Sequence, residues 1–266
     1  AKSIKWNDPK IQEQLSALIV TPDNRINGRK ELDAKKIIFH SEVFDYREGS
    51  RRENADKPRS NFIIKTDTPI YPDTLVWIRD FSYSYNEPMA KKYFSHPAYG
   101  GYPVVGVNWK QSTAFCEWRT QYLNSYLEAN KRMTESDFRL PTEAEWEWAA
   151  MGGAIGSAKL LNGFGDKTKF AWYAKNSKGI IHPVGLLEPN SLGIYDMLGN
   201  AEEITGDLYN RYYYVANTNN PKGLSKGRKC VVKGGCYNTM NGEDYGTKIY
   251  NGVESSYAPY LDISSR

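Results

Sequence analysis

Arg139-Leu140-Pro141-Thr142-Glu143-Ala144-Glu145-Trp146-Glu147-Trp148-Ala149-Ala150 is the most informative stretch of this 266-residue chain. It predicts a helix that opens after Thr142. Thr142 supplies an N-cap hydroxyl, and Glu145 follows at the capping-box spacing. Glu143 and Glu145 also oppose the positive end of the helix dipole. Leu140 or Pro141 is placed to staple against Trp146. Gly152-Gly153 then ends the helix after about two or three turns.

Upstream, Asn108-Trp109-Lys110-Gln111 is a second capping box and opens the longest predicted helix, to about Asn130. Phe115, Trp118, Tyr122 and Tyr126 recur at helical spacing, and this stripe reads as core packing. Residues 61–107 read as strands and turns. Their apolar runs are Phe62-Ile63-Ile64 and Leu75-Val76-Trp77-Ile78, punctuated by Pro69, Pro72, Pro88, Pro97 and Pro103. Downstream of Gly153, Gly, Asn, Pro and Tyr dominate and helical periodicity fades, which predicts short strands and long ordered loops. Few helices within such a chain make the fold class α+β.

The first 60 residues differ in character, with 13 basic against 10 acidic residues. A short helix is predicted around Pro9 to Ile19 and a short strand at Ile37-Ile38-Phe39. The stretch from Arg47 to Arg59 is charged, with almost nothing to bury. It reads as a solvated loop or a docking arm on the periphery. The domain reading is therefore a charged arm over 1–60 and a main domain over 61–266.

Composition narrows the function classes. No run approaches the ~18 apolar residues of a membrane helix. The net charge of +4 is mild and spread along the chain, so nucleic acid is not an expected partner. Aromatic residues reach 14%, with 20 Tyr, which suits half-buried surfaces and protein interfaces. The cysteines are Cys116, Cys230 and Cys236, with no CxxC. Cys230 and Cys236 lie on one expected strand, roughly 20 Å apart at ~3.3 Å per residue, too far to bond to each other. His40, His96 and His182 share no metal-ligand spacing, and P-loop, dinucleotide and Gly-x-Ser-x-Gly signatures are absent. The start at Ala1-Lys2-Ser3 and the end at Arg266 read as those of a processed or partial chain.

Several segments, in order and spacing, resemble the formylglycine-generating enzyme, or sulfatase-modifying-factor, domain. They are Pro103-Val104-Val105-Gly106-Val107-Asn108-Trp109, the Arg139–Ala150 block, His182-Pro183-Val184-Gly185, Pro189 through Asn200, and Val232-Lys233-Gly234-Gly235. The likeness covers about residues 101–240. It implies a loop-rich, complex C-type-lectin-like fold. Ile70 through Trp77, Phe81 through Pro88 and Tyr93 through Tyr99, leading to Trp118-Arg119-Thr120, further resemble gliding-motility and type IX secretion lipoproteins of the GldK/PorK kind, with GldJ as a close relative.

The family's oxidase chemistry uses two copper(I)-binding cysteines just beyond the GG strand, since soft thiolates suit that ion. The corresponding positions here are Thr239 and Asp244, while Cys236 directly follows Gly235. No copper is expected, and the resemblance implies a pseudoenzyme. The family's calcium loop maps onto Asp196, Gly199, Ala201 and Glu203, whose hard oxygens suit Ca²⁺. Its tryptophans are replaced by Glu202 and Ile204. Two readings of the loop stand: a calcium site, or carboxylates that only hydrogen-bond the loop backbone.

The resemblance implies a non-catalytic structural subunit of a periplasmic ring at the outer membrane. Its expected partners are a ring protein of the GldN/PorN kind and copies of itself, with the membrane reached only through a lipid anchor outside this chain. The rival readings are an oxidase acting on a protein cysteine and a lectin-like binding module.

Overall fold

A computed structural model describes residues 5, 7–25, 28, 30, 32–79, 87–154, 156, 166–209, 227 and 229–239. The chain divides into two compact units, one of Ala1–Pro72 with Ala114–Phe138 and one of Asp73–Thr113 with Arg139–Arg266.

The first unit opens with helix α1 (Pro9–Leu15), capped by Asp8 and continued as a 3-10 turn over Ser16–Leu18. Strands β1 (Ile38–Phe44) and β2 (Ile63–Pro69) pair antiparallel, from Ile38 opposite Pro69 to Phe44 opposite Ile63. One face of this hairpin carries the exposed pairs His40–Asp67 and Glu42–Lys65. The charged stretch after β1 is ordered as well as peripheral. Asp45 caps a turn of helix, α2 (Tyr46–Gly49), by accepting from the backbone of Arg47 and Glu48. The Phe44 ring lies over Gly49, where an added Cβ would come within 2.7 Å of it, and Arg59 stacks on the same ring. Asn54 is buried and donates to the Glu48 carbonyl. The short strand expected at Ile37-Ile38-Phe39 is thus one end of a seven-residue ladder.

The predicted strand around Leu75–Ile78 is instead a helical turn, α3 (Val76–Arg79), followed by α4 (Glu87–Lys92). The Asp73 carboxylate accepts from the Leu75 backbone and sets up a turn in place of extension. The long helix, α5, runs Trp109–Ala129, and the reciprocal Asn108–Gln111 bonds confirm its capping box. Its aromatic stripe is exposed, which corrects the core reading. Phe115, Trp118, Tyr122 and Tyr126 keep 60%, 44%, 60% and 58% of their surface. Ala114 and Leu127 are buried on the helix instead. The rings meet each other, with Phe115–Trp118 centroids 5.7 Å apart and Trp118–Tyr122 stacked at 5.4 Å. A helix with two apolar stripes buries only one, and spacing alone does not say which.

In the second unit, helix α6 (Glu143–Ala150) has the predicted capping box, and Met151 closes it before the two glycines. Around α6 lie two short parallel strands, β3 (Ala171–Trp172) and β4 (Leu198–Gly199), and an antiparallel pair, β5 (Glu203–Leu208) with β6 (Cys230–Lys233). The expected strand from Cys230 to Cys236 stops at Lys233. Gly234 and Gly235 take φ of 91° and 69°, a left-handed path that glycine adopts freely and that breaks the extended chain. All three cysteines are free thiols. Two cores form. One gathers Trp146, Ala150, Ala171, Tyr173 and Leu198; the other gathers Trp77, Tyr93, Ile181 and Tyr237. The result is a loop-rich α+β fold, with few helices and small two-stranded sheets among the described residues.

Candidate functional site

The chain turns sharply on either side of β4, before it enters β5. Asp196, Gly199 and Asn200 hold φ of 56°, 74° and 60°. Gly199 is required twice over, by its φ and by the Trp172 main chain, which occupies the space an added Cβ would need. Its N–H donates to the Gly234 carbonyl at 2.8 Å, joining the loop to the double glycine.

Asn200 is the buried hub. Its side chain accepts from His182 N at 2.9 Å and donates to His182 O at 3.0 Å, while its backbone bonds to Trp172 and Tyr237. His182 lies flat on Trp172, 3.9 Å between centroids, and its Nε2 meets the Ser177 carbonyl. That histidine is part of the packing. The role of Asn200 was missed by sequence reasoning, although a Gly-Asn pair marks a turn.

The four residues of the expected calcium loop fall around this turn. Asp196 accepts from Gly185 N at 2.6 Å, and Glu203 accepts from Trp146 Nε1 at 2.7 Å. Burial pushes the Glu203 carboxyl above the usual range, the Trp146 bond opposes this, and the Asp196 charge adds to it. Among the described residues, no three His, Cys, Asp or Glu side chains converge in a metal-holding group. A calcium ion would draw on the two carboxylates and on main-chain oxygens of Gly199 and Ala201. Such hard donors fit the ion, and two carboxylates that sense each other gain from a divalent cation between them.

Thr239, which the resemblance sets at the first thiol position, is buried. Its hydroxyl accepts from Cys236 N at 2.8 Å and faces Cys236 Sγ at 3.5 Å. A hydroxyl engaged in this way closes the turn after the double glycine and offers no soft ligand. Asp244, the second position, lies outside the described residues.

Asp196, Glu202, Glu203 and Cys236 line one cavity of about 660 Å³ in the second unit. Its remaining walls are largely aliphatic, with Val104, Val105 and Val184 among them. In the same unit, Lys233 is fully buried, 2.9 Å from Glu147 and 3.6 Å from Glu143. Asp207 accepts from Glu143 N at 2.8 Å, at the first turn of α6. The i, i+4 pair Glu143/Glu147 was the available sequence signal for this network.

The Sulfatase-modifying factor enzyme 1-like domain family model matches residues 72–257, and the chain belongs to that family. It is 33% identical over 151 residues to the formylglycine-generating enzyme of Mus musculus, covering 51% of this chain and 35% of the relative. It is 32% identical over 141 residues to the inactive C-alpha-formylglycine-generating enzyme 2 of Mus musculus, covering 46% and 40%. Serine/threonine-protein kinase pkn1 of Chlamydia pneumoniae is 26% identical over 242 residues, 88% of this chain and 35% of that one. The chain thus spans about a third of the length of these curated relatives. Among solved structures, PvdO from Pseudomonas aeruginosa is 24% identical with a TM-score of 0.41, over 52% of this chain and 51% of that one. A family with relatives named inactive accommodates a non-catalytic module.

Proposed function

We propose that this chain is a non-catalytic, partner-binding module of the sulfatase-modifying-factor family. The observation that supports this reading most is Thr239, a buried hydroxyl at a position where the oxidase chemistry needs a thiolate. A calcium ion bound through Asp196 and Glu203, with Gly199 and Ala201 carbonyls, would brace the loop without taking part in chemistry.

The finer proposal follows the likeness to GldK/PorK lipoproteins. In it, the chain is a structural subunit of a type IX secretion and gliding-motility ring on the periplasmic face of the outer membrane. It contacts copies of itself and a GldN/PorN-type protein. The exposed rings of α5 and the ordered, charged cap after β1 are surfaces suited to such contacts.

Two experiments test these levels separately. Incubation with a sulfatase-type cysteine peptide, with and without copper(I), should give no formylglycine; catalytic turnover would sink the non-catalytic reading. Affinity capture from outer-membrane extracts should recover a ring protein of the stated kind; its absence would remove the ring assignment and leave the module reading intact.

A further inference from the structure

The cavity beside the 196–204 loop has an unusual charge pattern. Among the described residues, three ionisable carboxyl side chains line it, Asp196, Glu202 and Glu203, and no lysine or arginine does. Asp196 and Glu203 each accept one hydrogen bond from the protein, and Glu202 is exposed. The rest of the wall is mostly apolar. Val104 and Val184, which line it, keep 69% and 52% of their surface.

An aliphatic wall leading to carboxylates matches one kind of side chain, a long apolar stem with a cationic head. Lysine and arginine bury their methylenes along apolar surface and keep the charge at a polar end. The volume of about 660 Å³ leaves room for main chain beside the stem. We propose that this cavity receives a lysine or arginine side chain of a partner protein, with Glu202 as its principal anion and Val104 and Val184 flanking the stem. The proposal rests on the partner-binding reading above. Calcium held by Asp196 and Glu203 leaves Glu202 as the cavity's free anion, so the recognition survives in either state of the loop.

The test uses the whole chain and three blocked tripeptides, acetyl-Gly-X-Gly-amide with X as lysine, arginine or norleucine. Titrations to about 20 mM, a range suited to a weak contact whose gain is largely offset by the cost of association, are followed by methyl NMR at Val104 and Val184. They are run in calcium and in chelator. The expected result is saturable shifts with lysine or arginine, none with norleucine, and about fivefold or greater weakening by Glu202→Gln in both buffers. Val104→Lys, an exposed change, places a competing ammonium in the wall and should abolish the Val184 shifts. Equal binding of norleucine, absence of any shift, or indifference to Glu202→Gln overturns the proposal. Turnover of a cysteine peptide would instead overturn the non-catalytic reading and leave the peptide binding untouched.

Discussion

Trp146 donates its indole N–H to Glu203 across 2.7 Å, a bond that helps tie helix α6 to strand β5 beside the candidate site. The indole is almost fully buried, so the bond has no water to replace it. Trp146→Phe should cost about 2–4 kcal/mol, from an unpaired carboxyl and a smaller ring. Glu203→Gln keeps an acceptor and should cost less than half as much. Urea unfolding of both variants checks the order.

Lys233→Met should destabilise by about 3–5 kcal/mol, because it removes the cation shared by the buried Glu143 and the partly buried Glu147. Adding Glu147→Gln should recover part of the loss, by removing one of the two carboxylates that faced the lysine. If the double variant is less stable than Lys233→Met alone, the network is not what holds this strand.

Glu145 gives the clearest pH dependence. The paired guanidinium of Arg139 and the Thr142 N–H hold its carboxyl down to about 2, against an ordinary 4.5. A depressed carboxyl stabilises the fold above its unfolded value and loses that contribution as pH falls from about 4.5 through about 2. The side chain is half exposed, so solvent screening keeps the effect to about 0.5–1 kcal/mol. The difference in melting temperature between the protein and Glu145→Gln should shrink over that window.

Calcium at tenfold its dissociation constant should stabilise the native state by about 1.4 kcal/mol, the mass-action value. Asp196→Asn should remove most of that response, and magnesium should not replace it. A melting temperature indifferent to calcium would leave the carboxylates as loop braces only.

Trp118→Ala and Tyr122→Ala should each change stability by about 1 kcal/mol or less, because their rings meet mainly each other and solvent. Truncating Leu127, buried on the same helix, should cost about 2–5 kcal/mol. Thermal or urea denaturation of the three variants checks the ranking. A reversal would place the aromatic stripe back in the core.

The helices around Thr142 and Asn108 were legible because capping boxes are local, written in four consecutive residues each. The α+β, loop-rich character was legible from the glycine and asparagine that punctuate the second half. The burial of Lys233, the hub role of Asn200 and the exposure of Phe115 were not. Each depends on a neighbour far along the chain: Glu147 for Lys233, His182 for Asn200, and for Phe115 the choice of which helical stripe to cover. Leu75–Ile78 shows the same limit at short range. An apolar run of that length fits a strand or a turn of helix, and the Asp73 cap decided for helix.

The bonds that complete α6 reach 57, 64 and 86 positions along the chain, to Glu203, Asp207 and Lys233. During synthesis, the helix therefore leaves the ribosome long before its buried partners exist. Its carboxylates and Trp146 stay in water until roughly 90 more residues follow, about 5–20 s at ordinary elongation rates. Pairings over such distances also slow folding, since closure of the chain precedes any gain from contact. A nascent chain stalled before β6 should be open to proteolysis throughout this unit, and release of the GG strand should be the step at which protection appears at once.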